Sequence, residues 1–225
     1  MSLPQELWDK EEKEFLQAMF SIFNEINFTR KILSQHIKKT FRSQLCLYFI
    51  LIDSFSRIEQ IFAGKREDEL NTNNEARFRS WLDRYIFTQE NKYFKKYRGG
   101  LGGNSKNIWL LRNSFLHFFS LPPADKVGGY IVVSFGTPPP IFKKLYSKIK
   151  QEKKKDVIEL NAHHLIDAIH EGYLLQLKCL TDMITGDPVK YTESAKYAHK
   201  ILMEQSAVPV SLKNEDGEML WSEKD

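Results

Sequence analysis

Arg112, Asn113 and His117 lie together in the stretch Arg112-Asn113-Ser114-Phe115-Leu116-His117. An imidazole titrates near neutral pH and can move a proton, and a guanidinium can hold phosphate or the charge that builds on it. Transfer at a phosphodiester asks for that pair: a base for the attacking hydroxyl and a cation on the developing phosphorane charge. Asn113 and His117 are four positions apart and share a helix face, whereas Arg112 and His117 are separated by about 140° around the axis. One helix does not easily aim both at one phosphate. Two antiparallel copies meeting across a twofold axis can, because such a contact sets each residue opposite its partner's neighbours.

The surroundings of Arg112 sharpen the point. At about 100° per residue, Ile108, Leu111, Phe115, Leu116 and Phe119 flank it on the half of the helix that should face the core. A guanidinium among apolar side chains needs a partner, a wet cleft or a subunit interface. Asp53, the only charge between Leu45 and Phe55, would be desolvated in a central helix and is the natural partner.

The segment from Trp109 to His117 resembles the signature of the higher eukaryotes and prokaryotes nucleotide-binding (HEPN) family. There an Arg, a polar residue and a His four to six positions after the Arg share one helix of an α-helical bundle. The upstream helix Leu45-Cys46-Leu47-Tyr48-Phe49-Ile50-Leu51-Ile52-Asp53 also fits, and the resemblance covers Arg42 to Ser120. It implies a metal-independent endoribonuclease in many members, working as a dimer in which two such helices line a shared cleft. Other members are inactive binding or scaffolding proteins. Arg112, Asn113 and His117 would then be the catalytic set, with Asp53 in support and no metal or cofactor required. The competing expectation is a catalytically silent helical interaction module in which Arg112 is structural.

Helical periodicity governs the elements that must position these residues. It predicts helices over Leu7 to Ile26 and over Ile32 to Phe62, with a break near Thr40 and Gly64 as carboxyl-terminal cap. A polar turn follows over Lys65 to Asn74, then a helix over Glu75 to Phe87 with Phe78, Trp81, Leu82 and Tyr85 on one side. The stretch Tyr97 to Asn104 reads as a flexible glycine-rich loop, and Ser105 to Phe119 as the site helix, capped by Asn104 or Ser105 and stopped by Pro122 and Pro123. Lys95, Lys96, Arg98 and Lys106 stand close to that loop in sequence and are candidate RNA contacts, together with the amides at the helix start. The loop lacks the Gly-Lys-Ser/Thr ending of a phosphate loop, so nucleotide hydrolysis is not suggested.

Beyond Ala124 the pattern changes to β-branched and aromatic residues. Tyr130 to Phe135 reads as a strand, with Val157 to Leu160 as its partner in a small β-hairpin insertion. Pro138 to Lys150 between them holds a turn and a short basic helix. Helices resume from Asn161 to Ile184 and from Pro188 to Gln205. The fold expected is mainly α: one HEPN-like helical domain over residues 1–205, a β insertion at about 128–160, and a carboxyl-terminal tail over 206–225 that docks through Leu212, Leu220 and Trp221. His163, His164, Asp167 and His170 form the chain's one histidine cluster and read as polar residues of an amphipathic helix rather than metal ligands.

Composition sets the outer bounds. The chain has 225 residues, 42% hydrophobic and 28% charged, with 16 Phe, 9 Tyr and 4 Trp, which suits a globular domain with an aromatic core. A net charge of +4 permits a polyanion partner without demanding one. Cys46 and Cys179 show no metal or disulfide spacing and are expected as two buried, reduced thiols. The run from Leu45 to Ile52 ends at Asp53, short of the roughly 18 apolar residues that span a bilayer. The expectation is a cytoplasmic protein without membrane contact, a homodimer through the site helix, with RNA and an antitoxin or other protein as partners.

Overall fold

The computed structural model describes residues 10–65, 67–70, 72–97, 100–118, 120–135, 147–148, 151, 156–206, 211–213 and 219–222. The architecture is mainly helical with a small sheet. The first helix, α1 (Lys10–Ser34), opens with Glu11 and Glu12 in its first turn, where carboxylates complement the helix dipole. It buries Phe15, Leu16, Met19 and Ile26, a stripe at helical spacing. The second, α2 (Ile37–Phe62), buries Leu45, Tyr48, Phe49, Ile52, Phe55 and Ile58 and is the central helix.

The break between them falls at Gln35 and His36 rather than near Thr40. Thr40 lies inside α2, and its hydroxyl donates back to the carbonyls of Leu33 (3.1 Å) and His36 (3.0 Å). A threonine that serves backbone across a corner reads locally as a helix breaker although it braces the bend. The expected end is present: Gly64 has φ +81°, its N–H donates to the Ile61 carbonyl, and that of Lys65 donates to the Gln60 carbonyl. These two bonds make a Schellman cap, which needs the left-handed conformation that glycine adopts most readily.

The polar stretch after Gly64 holds one helical turn, α3 (Glu67–Leu70). Next comes α4 (Asn74–Tyr85), capped by the Asn73 side chain, which accepts from the Ala76 N–H. Phe78, Trp81, Leu82 and Tyr85 are buried, as the periodicity requires. A short α5 (Lys92–Tyr97) precedes the glycine-rich segment and packs on the helix that follows the sheet. Asn91 ties this corner together. Its Nδ2 donates to the carbonyls of Tyr85 (2.9 Å) and Ala168 (2.8 Å), while its Oδ1 accepts from the N–H groups of Tyr93 and Phe94. The site helix is α6 (Ser105–Phe118), followed by the turn α7 (Ala124–Val127).

Strands form where expected, as β1 (Gly129–Ser134) and β2 (Asp156–Asn161), but they pair in parallel, with Gly129 opposite Asp156 and Ser134 opposite Asn161. The insertion is therefore not a hairpin. Parallel strands require a crossover connection, and the chain from residue 135 to residue 155 is long enough to supply one. The expected basic helix between Pro138 and Lys150 falls almost wholly outside the described residues.

Helix α8 (Ala162–Gly186) follows β2 directly and is capped by Asn161, whose side chain accepts from the His164 N–H at 3.2 Å. It crosses α4 and α2 as the second central helix. Trp81 Nε1 donates to Gln176 Oε1 (2.7 Å), Gln176 Nε2 donates to the Phe55 carbonyl (2.8 Å), and the Tyr173 hydroxyl donates to the Tyr48 carbonyl (3.2 Å). The last helix, α9 (Pro188–Ser206), lies along α1. In the tail, β3 (Ser211–Lys213) and β4 (Met219–Ser222) pair antiparallel. The expected docking of Leu212, Leu220 and Trp221 concerns side chains outside the described residues.

The core is aromatic, with Phe15, Tyr48, Phe49, Phe78, Trp81 and Phe115 among its largest fully buried side chains. Both cysteines are free thiols, but only Cys46 is half-buried; Cys179 is exposed. The core face of α8 runs through Tyr173, Gln176, Leu177, Leu180 and Ile184, and position 179 turns away from it. Among the described residues no helix is long and apolar enough to cross a membrane.

Candidate functional site

Helix α6 buries Ile108, Leu111 and Phe115, and Phe115 packs against Phe49 of α2 and Phe41. This contact fixes the roll of the helix about its axis. Arg112 is thereby turned toward α2, where its Nε donates to Asp53 Oδ2 at 3.1 Å and its Nη2 forms an ion pair with the same oxygen. Both side chains are 19% exposed, so the pair sits at the edge of the core, within reach of solvent. Arg112 Nη1 donates to Asn113 Oδ1 at 2.9 Å, and the guanidinium carbon lies 5.0 Å from the Trp109 ring centre. Trp109 in turn packs on Phe78 of α4 at 5.3 Å. The arginine is held by a carboxylate, an amide and an aromatic face, and its remaining N–H groups are the ones a ligand can reach.

Asn113 is half-buried and His117 is exposed. Lys106, Asn113 and His117 follow one another at spacings of seven and four and so share one face of α6. Leu110 and Leu116 lie on the same side, half-buried and outside the hydrophobic core cluster. The outer face of the helix thus carries an imidazole, an amide and an ammonium between apolar side chains.

The glycine-rich segment is packed rather than flexible. Leu101 and Gly102 are buried, Leu101 bridges Leu160 of β2, and the Gly102 N–H donates to the Glu159 carbonyl at 3.0 Å. A Cβ at Gly102 would lie 2.8 Å from Ile108 Cδ1 and 3.2 Å from Leu160 Cδ1, and the residue has φ +78°. Glycine is needed there for close approach between α6 and β2 as well as for backbone conformation. The helix start is also occupied from within. Asn104 Oδ1 accepts from the Asn107 N–H (3.0 Å), Asn107 Nδ2 donates to the Gly102 carbonyl (3.2 Å), and the Ser105 hydroxyl donates to Asp83 (3.1 Å). A carboxylate beside the first turn works against an anion at that end.

The expected RNA contacts divide. Lys106 is exposed on α6. Lys95 and Lys96 are exposed on α5, which packs on α8, and the Lys96 ammonium lies 4.9 Å from the Tyr97 ring centre. Arg98 falls outside the described residues. The histidine cluster is taken up by packing: His164 stacks on Tyr97 at 3.6 Å, His170 lies 4.8 Å from Phe23, and Asp167 pairs with Arg30. Among the described residues no group of three His, Cys, Asp or Glu side chains is placed to hold a metal ion.

Compared with models of protein families, with curated proteins and with solved structures, the chain matches none. What its residues can do chemically is therefore argued from their geometry. Two further arginines stand next to the Arg112–Asp53 pair. Arg57 follows Asp53 by one turn of α2, and Arg77 of α4 donates through Nε to the Ser56 hydroxyl (3.2 Å) and through Nη1 to the Leu70 carbonyl. Burial lowers the Arg77 pKa, the charge of Arg57 lowers it further, Asp53 opposes, and Arg112 adds a smaller lowering. Sequence reasoning missed both. The four-residue step from Asp53 to Arg57 signalled the first; Arg77 precedes the apolar stripe of α4 by one position, flanked by Glu75 and Arg79, and reads as a solvated face.

Proposed function

We propose that this chain is an RNA-cleaving or RNA-binding protein of the toxin or defence type, HEPN-like and metal-independent, acting as a homodimer through α6. The observation that carries the reading is the arrangement on that helix. Arg112 is fixed by Asp53 and bonded to Asn113, while Asn113 and His117 share the outer face beside Leu110 and Leu116. A twofold contact between outer faces brings two imidazoles and two guanidiniums to one groove. His117 is the general base or acid, Arg112 stabilises charge on the phosphorane, and Asn113 orients substrate or the neighbouring imidazole. Asp53 holds the guanidinium in one orientation, so that less order is lost when substrate arrives.

The test is cleavage of labelled RNA by purified protein in the presence of a chelator. Cleavage should persist there and fall by about 10²–10⁴-fold in Arg112→Ala and in His117→Ala. Undiminished cleavage by folded variants would remove the assignment. One observation favours a second reading, a catalytically silent interaction module: Arg112 directs its Nε and Nη2 at Asp53, as a purely structural pair does. In that case Arg112→Ala lowers the melting temperature while the wild-type protein leaves RNA intact.

A further inference from the structure

Three guanidinium groups, from α2, α4 and α6, converge on a single turn of α2 between Asp53 and Arg57. Arg112 and Arg77 are engaged there, the first by Asp53 and the second by Ser56 and the Leu70 carbonyl. Asp53 is directed at Arg112 through Oδ2, and its Oδ1 is buried without a hydrogen bond from the described residues. Arg57 is different. It is half-buried, its Nε is enclosed with no acceptor, and among the described residues it makes neither a hydrogen bond nor an ion pair. A partly desolvated cation that lacks an acceptor and has another cation beside it is unfavourable in isolation. The Nη groups of Arg57, unlike Nε, are not enclosed, and they can take an anion that binds from solution.

The surroundings specify that anion. Arg57 shares the solvent stripe of α2 with Asp53 and Gln60, at steps of four and three. Toward Asp53 the stripe leads to Arg112 and the Trp109 ring. Toward Gln60 it leads to a cleft of about 330 Å³ lined by Gln60, Lys65, Glu69, Arg77 and Ser80, among others, where Lys65 pairs with Glu69 at 3.4 Å and Arg77 is the remaining cation. Arg112, Arg57 and Arg77, with the Trp109 indole beside the first, offer spaced cations and a flat face, and these match the backbone of a single strand, whose phosphates recur while its bases offer flat faces.

We propose that Arg57 is the anion-binding group of a second phosphate subsite, taking a phosphodiester of single-stranded RNA next to the one held by Arg112. The inference rests on the reading of α6 as an RNA-facing helix. Arg77 supports it from behind by fixing the α2 turn and adding positive field. Because Arg57 stands four residues along α2 from Asp53, about 6 Å along the axis, it serves a neighbouring phosphate and not the one being cleaved. It is a binding residue that sets the register of the strand.

Binding of an uncleavable 2′-O-methyl oligoribonucleotide, followed by anisotropy over a series of salt concentrations, tests the subsite apart from the chemistry. Arg57→Ala should weaken binding about tenfold for every sequence. It should also flatten the dependence of log affinity on log salt by about 0.7, the share of one single-strand phosphate contact; Arg57→Lys should restore most of that slope. Inorganic pyrophosphate is the second probe. It should raise the melting temperature of wild type and do so clearly less in Arg57→Ala, where the Arg112 subsite remains, and Arg57→Gln checks the result should the alanine variant unfold. Wild-type affinity and slope in a folded Arg57 variant would overturn the subsite. So would Arg57-dependent binding of a polyglutamate peptide by a protein that binds neither pyrophosphate nor the oligonucleotide, which would give Arg57 to an acidic protein segment. If the oligonucleotide binds through Arg57 but wild type cuts no RNA, the subsite stands and the nuclease reading fails.

Discussion

His170 shows how strongly burial acts on a single side chain here. Its ring packs on Phe23, its Nδ1 is buried without a hydrogen bond, and its pKa falls from 6.5 to about 4. Desolvation is the main cause; Arg30 adds to the lowering, Glu171 opposes it and Lys92 contributes a smaller lowering. The unfolded chain takes up this proton below pH 6.5 while the folded one refuses it until about pH 4. Stability from this residue is therefore complete above about pH 6.5 and declines as the pH falls toward 4. Urea midpoints measured across that window should drop more steeply for wild type than for His170→Gln; parallel curves would refute the assignment. The same sensitivity to environment decided what was readable in advance. Asp53 and Arg112 could be paired from sequence because a lone charge in an apolar helix has few ways to be satisfied. Arg77 could not, since what captures it is the Leu70 carbonyl at the end of a one-turn helix that no local pattern announces.

Among the helices, α4 and α8 cross closely at Gly172. A Cβ on Gly172 would come within 2.7 Å of Ile86 Cδ1, 3.1 Å of Trp81 Cη2 and 3.3 Å of the Tyr85 carbonyl oxygen. Gly172→Ala must turn the Ile86 terminal methyl away and shift Trp81 and the Tyr85 carbonyl by a few tenths of an ångström, at a cost of about 1–3 kcal/mol. Thermal unfolding measures it, and a variant as stable as wild type would show that the crossing has slack. The helices themselves were legible because their apolar stripes and caps are local: Asn161, Asn104 and Gly64 stand where the pattern asks for them. Strand direction was not legible. Alternating β-branched residues announce β1 and β2 alike for either pairing, and only the path of the connecting chain decides between them. The glycines from Gly100 to Gly103 misled for a related reason, because a residue without a side chain marks both an open loop and a place where two elements touch.

For the molecule as a whole, the proposed dimer rests on one helix face. Leu110→Glu places a charge among the apolar side chains beside Asn113 and His117 without disturbing Ile108, Leu111 or Phe115 beneath. The variant should sediment as a monomer, keep the wild-type melting behaviour apart from any loss due to dissociation, and cut RNA at least tenfold more slowly at equal concentration. Sedimentation of wild type as a monomer at tens of micromolar would dispose of the shared groove. The fold class could be read because stripes, caps and stops agree with one another, whereas the proposed self-association would leave only a faint mark: two leucines on a face that a solvated helix tolerates equally well. The bridge between Leu101 and Leu160 carries a last consequence, for order in time. On the ribosome, Leu101, Gly102 and the start of α6 emerge well before the strand that covers them, and Trp81 emerges well before Gln176. The site helix can therefore complete its packing only after β2 has been translated, and α4 only after α8, so both wait on partners that leave the ribosome later.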